Sequence, residues 1–532
     1  MRHVSIIWHN IRSMAKIKRV LISVTDKTGI AEFARVLAGL GAGIVSTGGT
    51  AKLLRETGLE VRDIAEVTGF PEMLDGRVKT IHPKIAAGVL AIRGNAEHMR
   101  ALEEHGIAPI DMVVVNLYAF EKAAAKEGAS VAELIENIDI GGPTLIRAAA
   151  KNYQDVAVVT SPSDYATILD EMNASGGSLG LATHWRLAKQ AFGRTAEYDR
   201  AISARLARIS VTDGGFVDAA AGALPGVLDI RAPRALGLRY GENPHQQAAL
   251  YSDRKRGIAG AEQLHGKELS YNNLVDLDAA WTLVREFESP AAAIIKHTNP
   301  CGCAEQSTLA EAYRKAFECD PVSAFGSVLS FNQRLDEETA REIAKTFVEA
   351  IAAPDYAPEA LAILTAKKNL RLLKVVSLEQ DEVVIKSIGG GYLVQTADLH
   401  HLDRAECQVK TNRAPTEAEW RALLFVWKVT KHVKSNAIVY AREGQIAAVG
   451  AGQMSRVDSV KIAAMKAVLP LSGTVVGSDA FFPFADGVEE AAKHGITAVI
   501  QPGGSVRDAE VLEAANRLGL AMVFTGVRHF RH

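Results

Sequence analysis

Short apolar runs that stop at glycine, proline or polar residues recur along this chain, and they alternate with segments whose apolar residues fall at helical spacing. That alternation builds strands covered by helices, so it confines the chain to α/β architectures. Residues 19–24 read as a strand, 29–40 as a helix, 43–46 as the next strand and 113–118 as another that ends in polar groups. Towards the C terminus, residues 488–494, 496–500, 508–518 and 522–525 read as helix, strand, helix and strand, with Gln501-Pro502-Gly503-Gly504-Ser505 as the intervening turn.

At 532 residues the chain exceeds what one core organises, and two to four domains are expected. Its 60 basic and 62 acidic residues leave a formal charge of -2, so no global field recruits nucleic acid or an anionic membrane. Small-molecule partners fit better. No apolar stretch approaches the roughly 18 residues of a spanning helix. Cys301, Cys303, Cys319 and Cys407 are too few for a disulfide framework in a chain this long, which points to a reducing cytoplasm. Residues 1–15 contain no sustained apolar segment and read as an N-terminal extension rather than a secretory signal.

Three places carry candidate chemistry. The run Ala291-Ala292-Ala293-Ile294-Ile295 delivers Lys296 and His297 into a loop containing Pro300 and Gly302. A buried strand ending at a turn is a rigid mount for acid/base or oxyanion chemistry, although a snorkelling lysine beside a core histidine reads the same way. Ser46-Thr47-Gly48-Gly49-Thr50 places a glycine pair between a strand and a helix. There backbone N–H groups either cradle a phosphate or merely make the turn. Arg147 and Lys151 lie four apart on a helix opened near Pro143, and Lys79 sits in another glycine- and proline-bounded loop. Two lysines converging on one pocket would depress each other's pKa and make one a usable proton carrier.

Several segments together resemble a known family. Residues 23–29, 46–50, Gly76-Arg77-Val78-Lys79-Thr80-Ile81-His82-Pro83, Asp139-Ile140-Gly141-Gly142 and Ala148-Ala149-Ala150-Lys151-Asn152 are similar to the IMP cyclohydrolase domain of the bifunctional purine biosynthesis family. Leu238-Arg239-Tyr240-Gly241-Glu242-Asn243-Pro244-His245, Lys296-His297-Thr298-Asn299-Pro300, residues 450–456 and Ser478-Asp479-Ala480-Phe481-Phe482-Pro483-Phe484 are similar to its phosphoribosylaminoimidazolecarboxamide (AICAR) formyltransferase domain. The matches run in order from about residue 16 to the C terminus.

The resemblance implies a Rossmann-like, methylglyoxal-synthase-like parallel-sheet domain over residues 16–215. Over 216–532 it implies a formyltransferase domain of two cytidine-deaminase-like α/β/α subdomains. It implies formyl transfer from 10-formyltetrahydrofolate to the AICAR amine, followed by dehydrative closure to inosine monophosphate. It assigns His297 as general base and Lys296 as the group stabilising the oxyanion or the departing folate nitrogen. For ring closure it assigns Lys151 as proton carrier, supported by Lys79, Tyr118 and Asp139. Thr25, Asp26, Lys27, Thr47, Gly48, Gly49, Thr50, Arg77, Thr80 and Asn116 are expected to line that pocket. Arg239, Tyr240, Gly326, Glu349, Asn436 and Arg456 are expected on the nucleotide of the transfer reaction, and Phe481, Phe482, Asp486, Ser505 and Arg528 on the folate. Glu349, placed on a helix before Ala353-Pro354, departs from the aspartate expected there.

Zinc is not expected: His297 lacks a glutamate two residues on, and Pro300-Cys301-Gly302-Cys303 is not a P-C-x-x-C pattern. The domain boundary is expected within residues 212–230, where glycine-rich stretches interrupt the periodicity. The family resemblance also implies a homodimer with formyltransferase sites shared between chains.

Overall fold

The computed structural model describes residues 15–532 apart from 75, 118, 127, 219–223, 254–255 and 377–382. It divides into two units, Met1–Gly222 and Ala223–His532.

The first unit is built on strands β1 (Arg19–Ser23), β2 (Gly43–Ser46), β3 (Val61–Asp63), β4 (Met112–Val115) and β5 (Ala157–Val159), ordered β3-β2-β1-β4-β5. All neighbours are parallel. Parallel strands are covered on both faces, which is why Met112-Val113-Val114-Val115 is a continuous apolar run rather than an alternating one. The helix Ile30–Gly39 buries Ile30, Phe33, Ala34 and Leu37, a single helical stripe laid on the sheet. At residues 212–216, the first of the stretches expected to interrupt the periodicity, the chain instead turns through a hairpin, Ile209–Thr212 against Gly215–Asp218. Asp213-Gly214 is its two-residue turn, a hairpin signal that the glycine-rich composition concealed.

The second unit holds one twelve-stranded sheet. Its strands are β6 (Glu262–His265), β7 (Ala291–Lys296), β8 (Asn299–Glu305), β9 (Val328–Phe331), β10 (Ala350–Ala353), β11 (Arg371–Lys374), β12 (Gln408–Val409), β13 (Ile438–Arg442), β14 (Gln445–Gly450), β15 (Val475–Ser478), β16 (Ala498–Gln501) and β17 (Ala521–Phe524). The order is β6-β11-β10-β9-β7-β8-β14-β13-β15-β16-β17-β12, which is the same six-strand arrangement written twice in mirror order. Each half has a hairpin, three parallel or crossover strands and an antiparallel edge strand. Two of the corresponding pairs of strands begin 147 positions apart, at Ala291 and Ile438 and at Val328 and Val475. Both halves precede the hairpin with a helix that opens on a capping box, Ser270 with Asn273 and Thr416 with Glu419. The halves meet where β8 pairs with β14 at Ala304 and Gln445. Beyond that pair β8 and β14 part, and the cleft between them carries the candidate chemistry.

Candidate active sites

In the first unit the candidate residues gather at the C-terminal ends of β1, β2 and β4. The helix Gly48–Glu56 starts directly after Thr47, and Gly48 takes a left-handed φ of 53° that a side chain would resist. A methyl group built on Gly49 would stand 3.2 Å from Nζ of Lys27, and one on Gly48 would stand 3.9 Å from Nζ of Lys79. Two ammonium groups therefore hang over the N-terminus of this nine-residue helix, which suits a phosphate. Thr50 is buried, its hydroxyl bonded to the Val24 backbone in both directions. Asn116 is spent on the loop itself: Oδ1 accepts from the N–H groups of Thr25 and Asp26 at 2.8 and 3.0 Å, and Nδ2 donates to the Asp26 carbonyl. The hydroxyl and N–H of Thr28 hold the Asp26 carboxyl below its ordinary range.

A second helix, Gly141–Lys151, points its N-terminus at the same end of the sheet. Asp139 Oδ1 accepts from the Gly142 N–H at 2.9 Å, and a methyl group on Gly142 would lie 2.3 Å from Asp139 Oδ2. Thr80 Oγ1 sits against Gly141, 2.5 Å from where its Cβ would be. The structure thus gathers Lys27, Thr47, Gly48, Gly49 and Lys79 in one group and Thr80, Asp139 and the Gly141-Gly142 turn in another beside it. Arg77 is ion-paired with Glu136 at the surface. Tyr118 lies outside the described residues. Tyr198, which sequence reasoning missed, contacts Asp139 by accepting its N–H at 2.7 Å.

Lys151 is not brought to this group. It ends the eleven-residue helix that Asp139 caps, and the ten rises of about 1.5 Å between Gly141 and Lys151 put it about 15 Å from the helix start. Next to it Asn152 donates to the carbonyls of Val89 and Ala91, at the far end of the helix that starts at Pro83. The resemblance puts Lys79 and Lys151 in one pocket; here Lys79 lies by the Gly48 cradle and Lys151 at the opposite end of its helix from Asp139, because four apart on a helix says which face a residue occupies but not which end of the sheet it reaches.

In the second unit β7 ends at Lys296, and His297 and Thr298 form the turn to β8. Both turn residues lie in the left-handed region, with φ of 51° and 62°. Non-glycine residues there cost about 1–3 kcal/mol each and persist where surrounding contacts impose them. Those contacts are present: Asp276 accepts the N–H of His297 at 3.3 Å and of Thr298 at 2.7 Å, and the His297 carbonyl accepts from Thr298 Oγ1 and Asn299 Nδ2. Lys296 Nζ donates to the Phe325 carbonyl at 2.9 Å, which puts Gly326 next to the pair. A cavity of about 350 Å³ opens onto Lys296, His297, Asn299, Cys301, Asp320 and Lys466. Burial pushes the Cys301 thiol up to about 12 and raises Cys303 and Cys319 as well, so none supplies a thiolate near neutrality. Among the described residues no group of three or more His, Cys, Asp or Glu is placed to hold a metal ion.

A neighbouring cavity of about 430 Å³ is lined by Asn436, Arg456, Phe481, Phe482, Asp486 and Arg528, among others. The wall between the two is Gln453: it lines the first, and its carbonyl accepts both the backbone and the side-chain N–H of Asn436, which lines the second. Arg456 is buried, with Nη1 on Ser478 and Asp479 and Nη2 on Asn436 Oδ1 at 2.8 Å. Asp479, fully buried, is the partner that sequence reasoning passed over although it lies in the segment containing Phe481. Phe482 is core; Phe481 and Phe484 are exposed. Ser505 lies in the glycine loop that precedes the helix Asp508–Arg517, outside this lining. Arg239 stacks over Tyr240 just beyond the first strand of the hairpin Arg234–Leu238 with Ala248–Tyr251, and no hydrogen bond, ion pair or ring contact joins either to Lys296 or His297 among the described residues. Glu349 does not sit on a helix: it directly precedes strand β10 and pairs with Arg371 at 2.8 Å. The hydrophobic residues before it, Phe347 and Val348, make helix and strand entry indistinguishable by periodicity over so short a stretch.

The fold and these groups define a two-domain α/β protein with one constellation at strand ends in each domain. An MGS-like domain is matched over residues 29–144, and the AICARFT/IMPCHase bienzyme family over residues 149–466. The chain is 53% identical over 538 aligned positions to the bifunctional purine biosynthesis protein PurH of Magnetococcus marinus, covering 98% of this chain and 100% of that one. A solved structure titled as the crystal structure of ForH overlaps 36% of this chain and all of its own length, at 33% identity and a TM-score of 0.33. The chain belongs to the AICARFT/IMPCHase bienzyme family: it is a bifunctional enzyme of purine biosynthesis, a formyltransferase and an IMP cyclohydrolase.

Proposed function

We propose that formyl transfer takes place at the Lys296-His297 turn and ring closure at the glycine cradle of the first unit. The observation that carries the first assignment is the strained turn itself, which holds an exposed imidazole at a cavity mouth beside an ammonium group. The AICAR amine is conjugated with its ring and carboxamide and is a poor nucleophile, so it must lose a proton as it attacks the formyl carbon of 10-formyltetrahydrofolate. His297 accepts that proton, and Lys296 donates hydrogen bonds to the oxyanion or to the departing folate nitrogen. Phe481, Asp486 and Arg528 offer an apolar ring and polar edges suited to a flat folate. Asn436 and Arg456 shape the pocket between them.

In the first unit the lysines at the helix N-terminus hold the nucleotide phosphate, and Asp139 with the Gly141-Gly142 turn faces the reacting carboxamide and formyl groups. Orientation supplies much of the catalysis, since nucleophile and electrophile belong to one molecule. The protein works as a homodimer in the cytoplasm. Exposed apolar surface supports the pairing of two copies: Leu181, Trp185 and Phe192 on the helix Leu181–Leu206, and Val384, Ile388, Tyr392 and Leu393 on the hairpin at 383–396. A dimer also gives Lys151 a route to a second copy's cradle.

The test is to incubate purified protein with AICAR and 10-formyltetrahydrofolate and follow the nucleotides by chromatography. Inosine monophosphate is expected; accumulation of the formylated nucleotide alone would remove ring closure from the first unit.

A further inference from the structure

We propose that Asp276 is a positioning residue for formyl transfer, holding the strained turn that presents His297 to the cavity. The inference rests on the assignment of His297 to that reaction. The turn is the two-residue link closed by the Lys296–Asn299 pair, and neither of its residues is a glycine. A histidine and a β-branched threonine do not settle in the left-handed region unaided. From the helix Tyr271–Val284, Asp276 Oδ2 accepts the His297 N–H and Oδ1 the Thr298 N–H. With the His297 carbonyl held by Thr298 and Asn299, both peptide groups of His297 are tied down while its ring stays exposed.

The molecule contains its own comparison. In the second repeat the corresponding turn is Glu443-Gly444, closed by Arg442 and Gln445, and its left-handed residue is the glycine, with φ of 66°. Aligned on the capping boxes at Ser270 and Thr416, the position of Asp276 falls on Ala422, which is buried and apolar. The carboxylate occurs in the repeat whose turn carries the histidine and not in the one whose turn can rest on glycine.

The experiment measures kcat and KM of formyl transfer in Asp276→Asn, Asp276→Ala and the double variant Asp276→Ala/Thr298→Gly, with cyclisation of preformed formylated nucleotide in the same samples to verify folding. For Asp276→Ala we expect kcat to fall about 10- to 100-fold with the nucleotide KM within about twofold, because a displaced general base costs the chemical step rather than binding. Asp276→Asn, which keeps one acceptor oxygen, should fall between. Adding Thr298→Gly should recover at least about threefold of the lost kcat, since glycine takes the φ of 62° at that position without the acid, a relief that outweighs loss of the Thr298 hydroxyl's bond to the His297 carbonyl. Undiminished kcat in Asp276→Ala, a loss confined to KM, or a double variant no better than the single one would overturn the proposal. A wild-type chain that transfers no formyl group would instead overturn the assignment beneath it.

Discussion

Asp139 and Lys151 stand at opposite ends of one helix: the carboxylate caps the N-terminus at Gly142, and the lysine is the last helical residue. If both serve ring closure in the proposed homodimer, the length of the helix has them act from different copies of the chain. Asp139→Asn and Lys151→Ala should each abolish cyclisation when pure. Co-expressed, they should regain a fraction of wild-type activity, through mixed dimers that hold one intact site. Activity in the mixture no greater than in either parent would remove the cross-subunit role.

Gly142→Ala should separate the two activities from the other side. Its methyl group would lie 2.3 Å from Asp139 Oδ2 and 2.9 Å from Leu117 Cδ2, so the carboxylate must leave the helix N-terminus. Cyclisation should drop by about 100-fold or more, in line with a lost acid/base or oxyanion group, while formyl transfer persists. A cyclisation rate near wild type would show that Asp139 is not held there for catalysis.

His297→Ala should lower formyl transfer by about 100-fold or more and leave the closure of preformed formylated nucleotide intact. Steady-state rates for the two half-reactions, measured separately, decide this; parallel loss of both would contradict independent sites.

Arg456 variants should report on folding before they report on binding. Removing the guanidinium takes the cation from a buried ion pair and strands Asp479, a change that costs about 3–5 kcal/mol. Urea denaturation of Arg456→Ala should show that loss, and the double variant Arg456→Met/Asp479→Asn should be less destabilised than either single one. Unchanged stability with a raised nucleotide KM would make Arg456 a substrate contact instead.

Acid should weaken the second unit through Glu286. Burial pushes its carboxyl up, but the hydrogen bond from His432 and the Lys431 ammonium at 2.9 Å outweigh that and hold it at about 2, below its ordinary 4.5. A pKa lowered by folding means that the stabilisation is complete above about 4.5 and is lost as pH falls towards 2. Thermal unfolding across that window should show a falling Tm in the wild type and a shallower fall in Glu286→Gln. Parallel curves would place the acid sensitivity elsewhere.

The alternation of strand and helix, the glycine pair at Gly48-Gly49 and the apolar run ending at Lys296 were legible in the sequence, because period, glycine and chain breaks are local properties. So was the family, since its motifs are contiguous segments. What the sequence could not express is which residues distant in the chain share a site. Asp276 looks like any polar helix residue until β7 brings the His297 turn over it. Asp479 reads as part of a folate segment until Arg456 is found paired with it. Lys151 matches its motif residue for residue, yet the run of its helix carries it away from Asp139. Local patterning sets what each segment becomes; the direction in which packed helices and strands run, fixed by burial of their apolar faces, decides which side chains meet.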